Sequence, residues 1–210
     1  PSDEDTLHLL WAADPANRGS MLATPVVPAE VEPARLLIRL VRPVWQDAVD
    51  DAHPSPSRGF AGVLAFVVDV AELAGSVTRD IRSGKTGYAW VIDGKGTFLH
   101  HQEGIFIGKN AFEARTAKMP TISFARINEI QKTLMLAGKE GTSWYISGWH
   151  LGVEGRVHKL IAYAPIQVTG EPDGPLWSVA VVAPISEVEG AIHAIQVRGL
   201  LLQAAIIVVF

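Results

Sequence analysis

The sequence contains no cysteine. That excludes disulfide bridges, cysteine-ligated zinc and thiol nucleophiles, and leaves the compartment open. Charge is scarce, at 19% of 210 residues, and there is no Lys/Arg-rich tract. With a formal net charge of −4, nucleic acid is not expected as a partner. The chain starts at Pro1 rather than Met, so we read it as a fragment or a processed product. No apolar run reaches the roughly 20 residues of a membrane span. What is present is apolar. Hydrophobic residues make up 48% of a length that suits one large domain or two small ones with a real core.

The longest apolar run is Gly199 to Phe210 (GLLLQAAIIVVF), where Gln203 alone is polar. No closing charge or turn signal ends it. We expect the first half of a transmembrane helix; the alternative is a terminal helix or strand packed on the core.

Upstream, Leu7 to Ala13 reads as a strand that ends in the turn Asp14 to Gly19. Pro25, Pro28 and Pro33 exclude a helix from residues 20–34. Ala34 to Val44 reads as a strand, with Pro43 marking a bulge or edge. An acidic, Pro-rich loop, Asp47 to Ser57, leads to Phe60 to Val68 (FAGVLAFVV), a buried strand by composition. Asp69 and Glu72 form a capping pair for a helix with Val70, Leu73, Val77 and Ile81 on one stripe, ended by Gly84 and Gly87.

Tyr88 to Ile92, a D-G-K-G turn and Thr97 to His101 predict a hairpin. Tyr88, Trp90, Leu99 and His101 are expected on one face, with Ala89, Val91, Phe98 and His100 on the other. Residues 104–120 read as loop and short helix. Ile122 to Ala137 reads as a helix with Ile127, Ile130 and Leu134 on its stripe and Gly138 as its stop. Three strands follow, Thr142 to Trp149, Arg156 to Ile166 and Leu176 to Ala183. A last helix, capped by Ser186 with Glu189, carries Val188, Ile192 and Ile195. The fold class is α+β. Residues 85–184 form an antiparallel five-stranded sheet with helical cover, the plan of a PAS-like sensor module.

A weak internal repeat joins the two halves. Arg42-Pro43-Val44, a loop, FAGVLAFVV and the cap Asp69 recur as Ala164-Pro165-Ile166, a loop, LWSVAVVA and the cap Ser186. We therefore expect two modules of related plan. Residues 1–69 form a reduced membrane-distal module, 70–84 a connecting helix and 85–184 a membrane-proximal module. Residues 185–198 form an exit helix, and 199–210 begin the span.

Motifs for common chemistries are missing. Ser83-Gly84-Lys85-Thr86-Gly87 resembles a phosphate loop, but Arg79 stands where the first Gly belongs, and a helix precedes the loop where a strand should. The seven His residues never fall at i, i+4, and His100 and His101 are adjacent on a strand. No metal and no cofactor is expected.

What remains is a polar and aromatic set in the second module. Tyr88, Trp90 and His101 share a hairpin face, Lys159 and Tyr163 share a strand face, and Tyr145 lies nearby. Lys109, Asn110 and Arg115 lie in the helical insert. Cations with Tyr and His donors in an apolar cleft suit a small carboxylate, since charge-assisted bonds orient it. Trp144, Trp149 and Trp177 are taken as packing residues.

At Thr86 to Lys109 (TGYAWVIDGKGTFLHHQEGIFIGK) the chain resembles the Cache, or PDC, family of extracytoplasmic sensor domains. Tyr88, Asp93, Gly96, Leu99 and Gly108 fall on the family's motif; Gln102 stands where Pro is usual. Leu160 to Pro165 and Trp177 to Pro184, followed by Ile185-Ser186-Glu187-Val188, resemble its closing strands and exit helix. The resemblance implies a double-Cache sensor at the bacterial inner membrane, periplasmic and homodimeric, whose last helix enters the bilayer. The closing pattern is most similar to that of sensor histidine kinases; chemoreceptors and cyclic-di-GMP enzymes carry such domains too. It implies no catalytic residue. Two other readings stay open. One is a soluble PAS-like binding module without output. The other is a hydrolase using Ser143, Ser147, His150 or His158, although no nucleophile elbow surrounds them.

Overall fold

The computed structural model describes residues 3–29, 35–47, 49, 51–52, 58–169 and 174–189. It begins with helix α1, Asp3–Ala13. The expected strand from Leu7 is therefore wrong. The run DEDTLHLLWAA holds one β-branched residue and no Gly or Pro, and Leu and Ala favour helix over strand. Asp14 then caps a 3₁₀ turn, Pro15–Asn17, accepting from the Ala16 amide at 2.9 Å.

Two antiparallel sheets follow. In the first, β3 (Leu36–Trp45) pairs with the short β1 (Leu22–Ala23) and β2 (Val27–Pro28) on one side and with β4 (Phe60–Asp69) on the other. Its register shifts between Val44 and Trp45, one residue past Pro43, as the proline signalled. β4 corrects a second expectation. Leu64, Phe66 and Val67 are half or more exposed; among the described residues β4 pairs with β3 alone, and Val68 is its one side chain packed against the inter-sheet core.

Asp69 caps α2 (Val70–Thr78) by accepting from the Glu72 amide at 3.1 Å, as the capping pair predicts. The buried stripe is Val70, Ala74 and Thr78, however. Leu73 and Val77 are exposed, and Ile81 lies beyond the helix. The smaller side chains face inward because Gly75 sits against His100 of the second sheet, leaving little room there.

The second sheet has the order β6-β5-β9-β8-β7, from β5 (Tyr88–Ile92), β6 (Phe98–His100), β7 (Gly141–His150), β8 (Val153–Gln167) and β9 (Leu176–Pro184). All its pairs are antiparallel. One face is covered by a 3₁₀ turn (Gly104–Phe106), α3 (Ala111–Lys118) and α4 (Ala125–Ile130), which continues as a π-turn through Gln131–Met135. Beneath this cover lies the main core: Tyr88, Trp90, Ile92, Phe98, Tyr145, Trp149, Ile161, Tyr163 and Val182 from the strands, with Phe106, Phe124, Ile127, Ile130 and Met135 from the cover. Each large side chain buried here contributes about 1.5–3 kcal/mol. A second core joins the two sheets through Leu36, Ile38, Val70, Ala74, Val91, Leu99 and Trp177.

The hairpin β5–β6 departs from simple alternation. Val91 pairs with His100 and Ile92 with Phe98, so Leu99 is an extra residue in a bulge. Phe98 consequently joins Tyr88 and Trp90, while Leu99 joins Val91 in the second core. The expected exchange of faces at 98 and 99 is thus reversed, and His101 returns to the Tyr88 face.

Residues 185–189 begin a helix, one residue ahead of Ser186, which places Ser186 in its first turn rather than at its cap. Ile192, Ile195 and the run 199–210 lie outside the described residues. Among the described residues no helix is long and apolar enough to cross a membrane.

Candidate functional site

Strand alternation puts Lys159, Ile161 and Tyr163 on the covered face of β8 while Leu160 and Ala162 face outward. Lys159 is 1% exposed, and its ammonium donates to the Tyr88 hydroxyl at 3.2 Å. From α3 comes Arg115, also buried, with its guanidinium over the rings of Trp90 and Phe98 at 5.6 and 5.2 Å. It donates to the Ala111 carbonyl at 3.3 Å and to the side-chain oxygen of Gln131. His101 and Tyr145 complete the buried group. The His101 ring meets those of Tyr88, Phe98 and Phe106 at 4.8–5.5 Å.

Among the described residues neither Arg115 nor Lys159 has a carboxylate within ion-pair distance. The nearby Glu103 is paired with Lys118, which lies over the Trp149 ring at 4.5 Å. Charge buried without a counter-charge is costly, and the titration of the group reflects it. Desolvation pushes the Lys159 ammonium down to about 7, Glu103 opposes this, and Arg115 and Lys118 add to it. Desolvation also lowers Arg115, to about 10, so it stays charged at neutral pH. His101 is pushed down to about 3 by burial and the two cations. It is therefore neutral, and its Nδ1 accepts from the Glu103 amide at 2.9 Å. Burial raises Tyr88 far above the usual phenol range and Tyr145 to about 12, so both keep their protons. The group carries a net positive charge with phenol and imidazole donors around it.

Buried side-chain atoms without a hydrogen-bond partner gather at the same place: Glu103 Oε1, Gln131 Nε2, Trp149 Nε1 and His150 Nδ1 are four of seven among the described residues. Such atoms are uncommon in folded proteins.

Of the residues singled out by sequence, Tyr88, Trp90, His101, Arg115, Tyr145 and Lys159 are brought together. Tyr163 shares their core but lies four residues beyond Lys159 on β8, opposite Gly141. Lys109 is exposed in the loop before α3, tied to β6 through its carbonyl, which accepts from the Phe98 amide. Sequence reasoning missed Gln131, whose polar side chain sits in the π-turn, and Glu103 and Lys118, which read as ordinary surface charge. Trp149 and Trp177 are buried as expected, whereas Trp144 is 42% exposed and stacks on His158 beneath Arg126. Of the four residues named for a hydrolase, Ser147 donates to the Trp149 carbonyl, His150 bonds Thr86, the Ser143 hydroxyl accepts from Arg126 and His158 stacks on Trp144.

Among the described residues, cavities lie outside this group. One of about 230 Å³ sits between the sheets, lined by Thr24, Asp93, Lys95 and Trp177 among others. Another, of about 700 Å³, opens on the uncovered face of the second sheet beside Ile81, Arg82 and Leu160.

Comparison with known proteins gives a consistent picture. The extracellular domain of the putative histidine kinase mmHK1S-Z3 superposes with a TM-score of 0.54 at 18% identity, covering 86% of this chain and 55% of that one. The periplasmic sensory domain of the Campylobacter jejuni chemoreceptor Tlp1 gives 0.51 at 14%, covering 80% and 50%. The ligand-binding domain of the Pseudomonas aeruginosa amino acid chemoreceptor PctC, in complex with GABA, gives 0.48 at 15%, covering 87% and 64%. The chain thus spans about half the length of the first two domains. No curated protein matches it. The sequence pattern of the Cache domain (dCache_1) matches residues 20–192. With its two antiparallel sheets and helical cover, the chain belongs to the Cache domain family.

Proposed function

We propose that this chain is the extracytoplasmic ligand-sensing region of a bacterial transmembrane signal-transduction protein, most simply a sensor histidine kinase. It binds a small anionic ligand of the carboxylate class between the second sheet and its helical cover. The observation that carries this reading is the buried pair Arg115 and Lys159, which have no counter-charge among the described residues. A carboxylate entering there would receive charge-assisted bonds and relieve the repulsion between the two cations. In this reading residues 1–69 are the membrane-distal module, 70–84 the connector and 85–184 the membrane-proximal module. The helix from 185 leads into a span beginning at 199, in a homodimer. The ligand would favour one of two packings by its differential affinity, typically ~1–3 kcal/mol, and the exit helix would carry the shift inward.

Calorimetry with acetate, lactate, succinate and glutamate tests the site. At least one should bind the native chain, and Arg115→Met should weaken it by about tenfold or more. Absence of binding across the panel, or equal binding by the variant, overturns it. Reading the gene beyond residue 210 tests the output: an apolar run completed to about 20 residues, then a HAMP-like linker and a phosphoacceptor-His helix, supports the kinase. A methyl-accepting or cyclic-di-GMP domain would assign the chain to a chemoreceptor or that enzyme class instead.

A further inference from the structure

The segment Ser83-Gly84-Lys85-Thr86-Gly87 fails as a phosphate loop, yet its amides do hold an anion. The Lys85 and Thr86 amides donate to Glu187 Oε2 at 2.6 and 3.1 Å, and the Thr86 hydroxyl donates to Glu187 Oε1. The loop is shaped for that carboxylate. Gly84 has φ +65°, and a Cβ there would lie 2.4 Å from Glu187 Oε2. A Cβ at Gly87 would meet the backbone carbonyls of Ser83 and Val182 at 2.0 and 2.6 Å. These bonds hold Glu187 below the usual carboxylate range, the Thr86 hydroxyl contributing most.

The contact continues inward. Thr86 Oγ1 lies 2.7 Å from His150 Nε2. A hydroxyl has one proton, and here it points to a carboxylate that can only accept, so Nε2 must be the donor towards Oγ1. The His150 ring stacks on Tyr88, centroids 5.6 Å apart at 24°, and the Tyr88 hydroxyl accepts from Lys159. One connected series therefore runs from the buried cation to the first turn of the exit helix.

We propose that the 83–87 loop is an anion cradle whose occupant is the Glu187 carboxylate, and that this latch is where the state of the buried cluster is read by the exit helix. The second clause rests on the sensing role proposed above; the latch itself does not. A change at Lys159 moves Tyr88, the ring stacked on it, and then the hydroxyl that completes the cradle. Release of Glu187 frees the helix from the start of β5.

The test needs no ligand and no output domain. Amide hydrogen exchange is followed residue by residue on the 210-residue chain, together with an NMR titration of His150. His150 is lowered by its own burial and by Lys159, and raised by Glu187, a hydrogen bond with the Thr86 backbone and Glu103. Glu187→Gln should speed exchange of the Lys85 and Thr86 amides by about tenfold or more and lower the pH at which His150 titrates. Lys159→Met should raise that pH and change exchange at the same two amides. Thr86→Val, which interrupts the series, should abolish the effect of Lys159→Met on the Lys85 amide, and it keeps the question open to test if Glu187→Gln folds poorly. Unaltered amides and His150 in Glu187→Gln, or unaltered amides in Lys159→Met, overturn the proposal. Failure of the carboxylate panel with these results intact would strike the ligand reading alone.

Discussion

The ammonium of Lys159 and the hydroxyl of Tyr88 meet across an intervening strand. Tyr88 of β5 pairs with Val182 of β9, and Lys159 of β8 pairs with Pro184, so both side chains reach over the same stretch of β9. The bond ties strands that are not neighbours, on the face where the helical cover closes.

Replacing that lysine should stabilise the fold. The Lys159 ammonium is lowered from 10.5 to about 7, so between those values the unfolded chain binds more protons, and stability rises with pH from about 7 to 10.5. Below pH 7 the full cost of burying the charge is felt. Lys159→Met should raise stability at pH 6 by about 1–4 kcal/mol and flatten this rise. Urea denaturation at pH 6, 8 and 10 measures both effects.

Ligand binding should take up protons. An anion beside Lys159 favours the ammonium and raises its pKa from about 7. At pH 7.5 the binding heat of any carboxylate bound should therefore depend on the ionisation enthalpy of the buffer. In Lys159→Met that dependence should vanish.

The cap of α2 should fail in acid. Burial raises the Asp69 carboxyl, but hydrogen bonds from Arg35 and from the Glu72 and Ala71 amides outweigh it and hold the group below 3.8. Its stabilisation is present above the unfolded value and lost as pH falls through the folded one. Asp69→Ala should cost about 1 kcal/mol at pH 7, and little at pH 2, as thermal melts of both proteins at the two pH values would register.

Gly87→Ala should be severe for its size. The new methyl would strike two backbone carbonyls, neither of which can turn aside as a side chain would. A loss of about 2 kcal/mol or more is expected in equilibrium unfolding.

The strand and turn punctuation of the second module was legible because the Asp93 turn, Gly138 and the apolar runs of β5, β8 and β9 are local signals. Lys159 and Arg115 were picked out as cations beside Tyr and His in the second module, although such residues are usually solvated. Some of what failed depends on neighbours, whereas the strand expected from Leu7 failed on local propensity, its Leu and Ala favouring helix. β4 looks like a buried strand until its surroundings are known: among the described residues it pairs with β3 alone, and α1 and α2 touch it without covering Leu64, Phe66 and Val67. The helical stripe of α2 places Leu73 inside until His100 claims the space beside Gly75. Glu187 read as one more helical acid, because the amides it holds are about a hundred residues away.

The extra residue in β6 acts as a phase shift. Upstream of it the strand serves the covered core with Phe98; through it, Leu99 and His100 turn to the inter-sheet core; beyond it, His101 is back beneath the cover. Four consecutive positions thus report to two compartments, because two neighbours, Leu99 and His100, face the same side. Removing Leu99 would restore simple alternation from Phe98 to His101 and keep the imidazole beneath the cover, so what the extra residue supplies is an apolar anchor for the inter-sheet core.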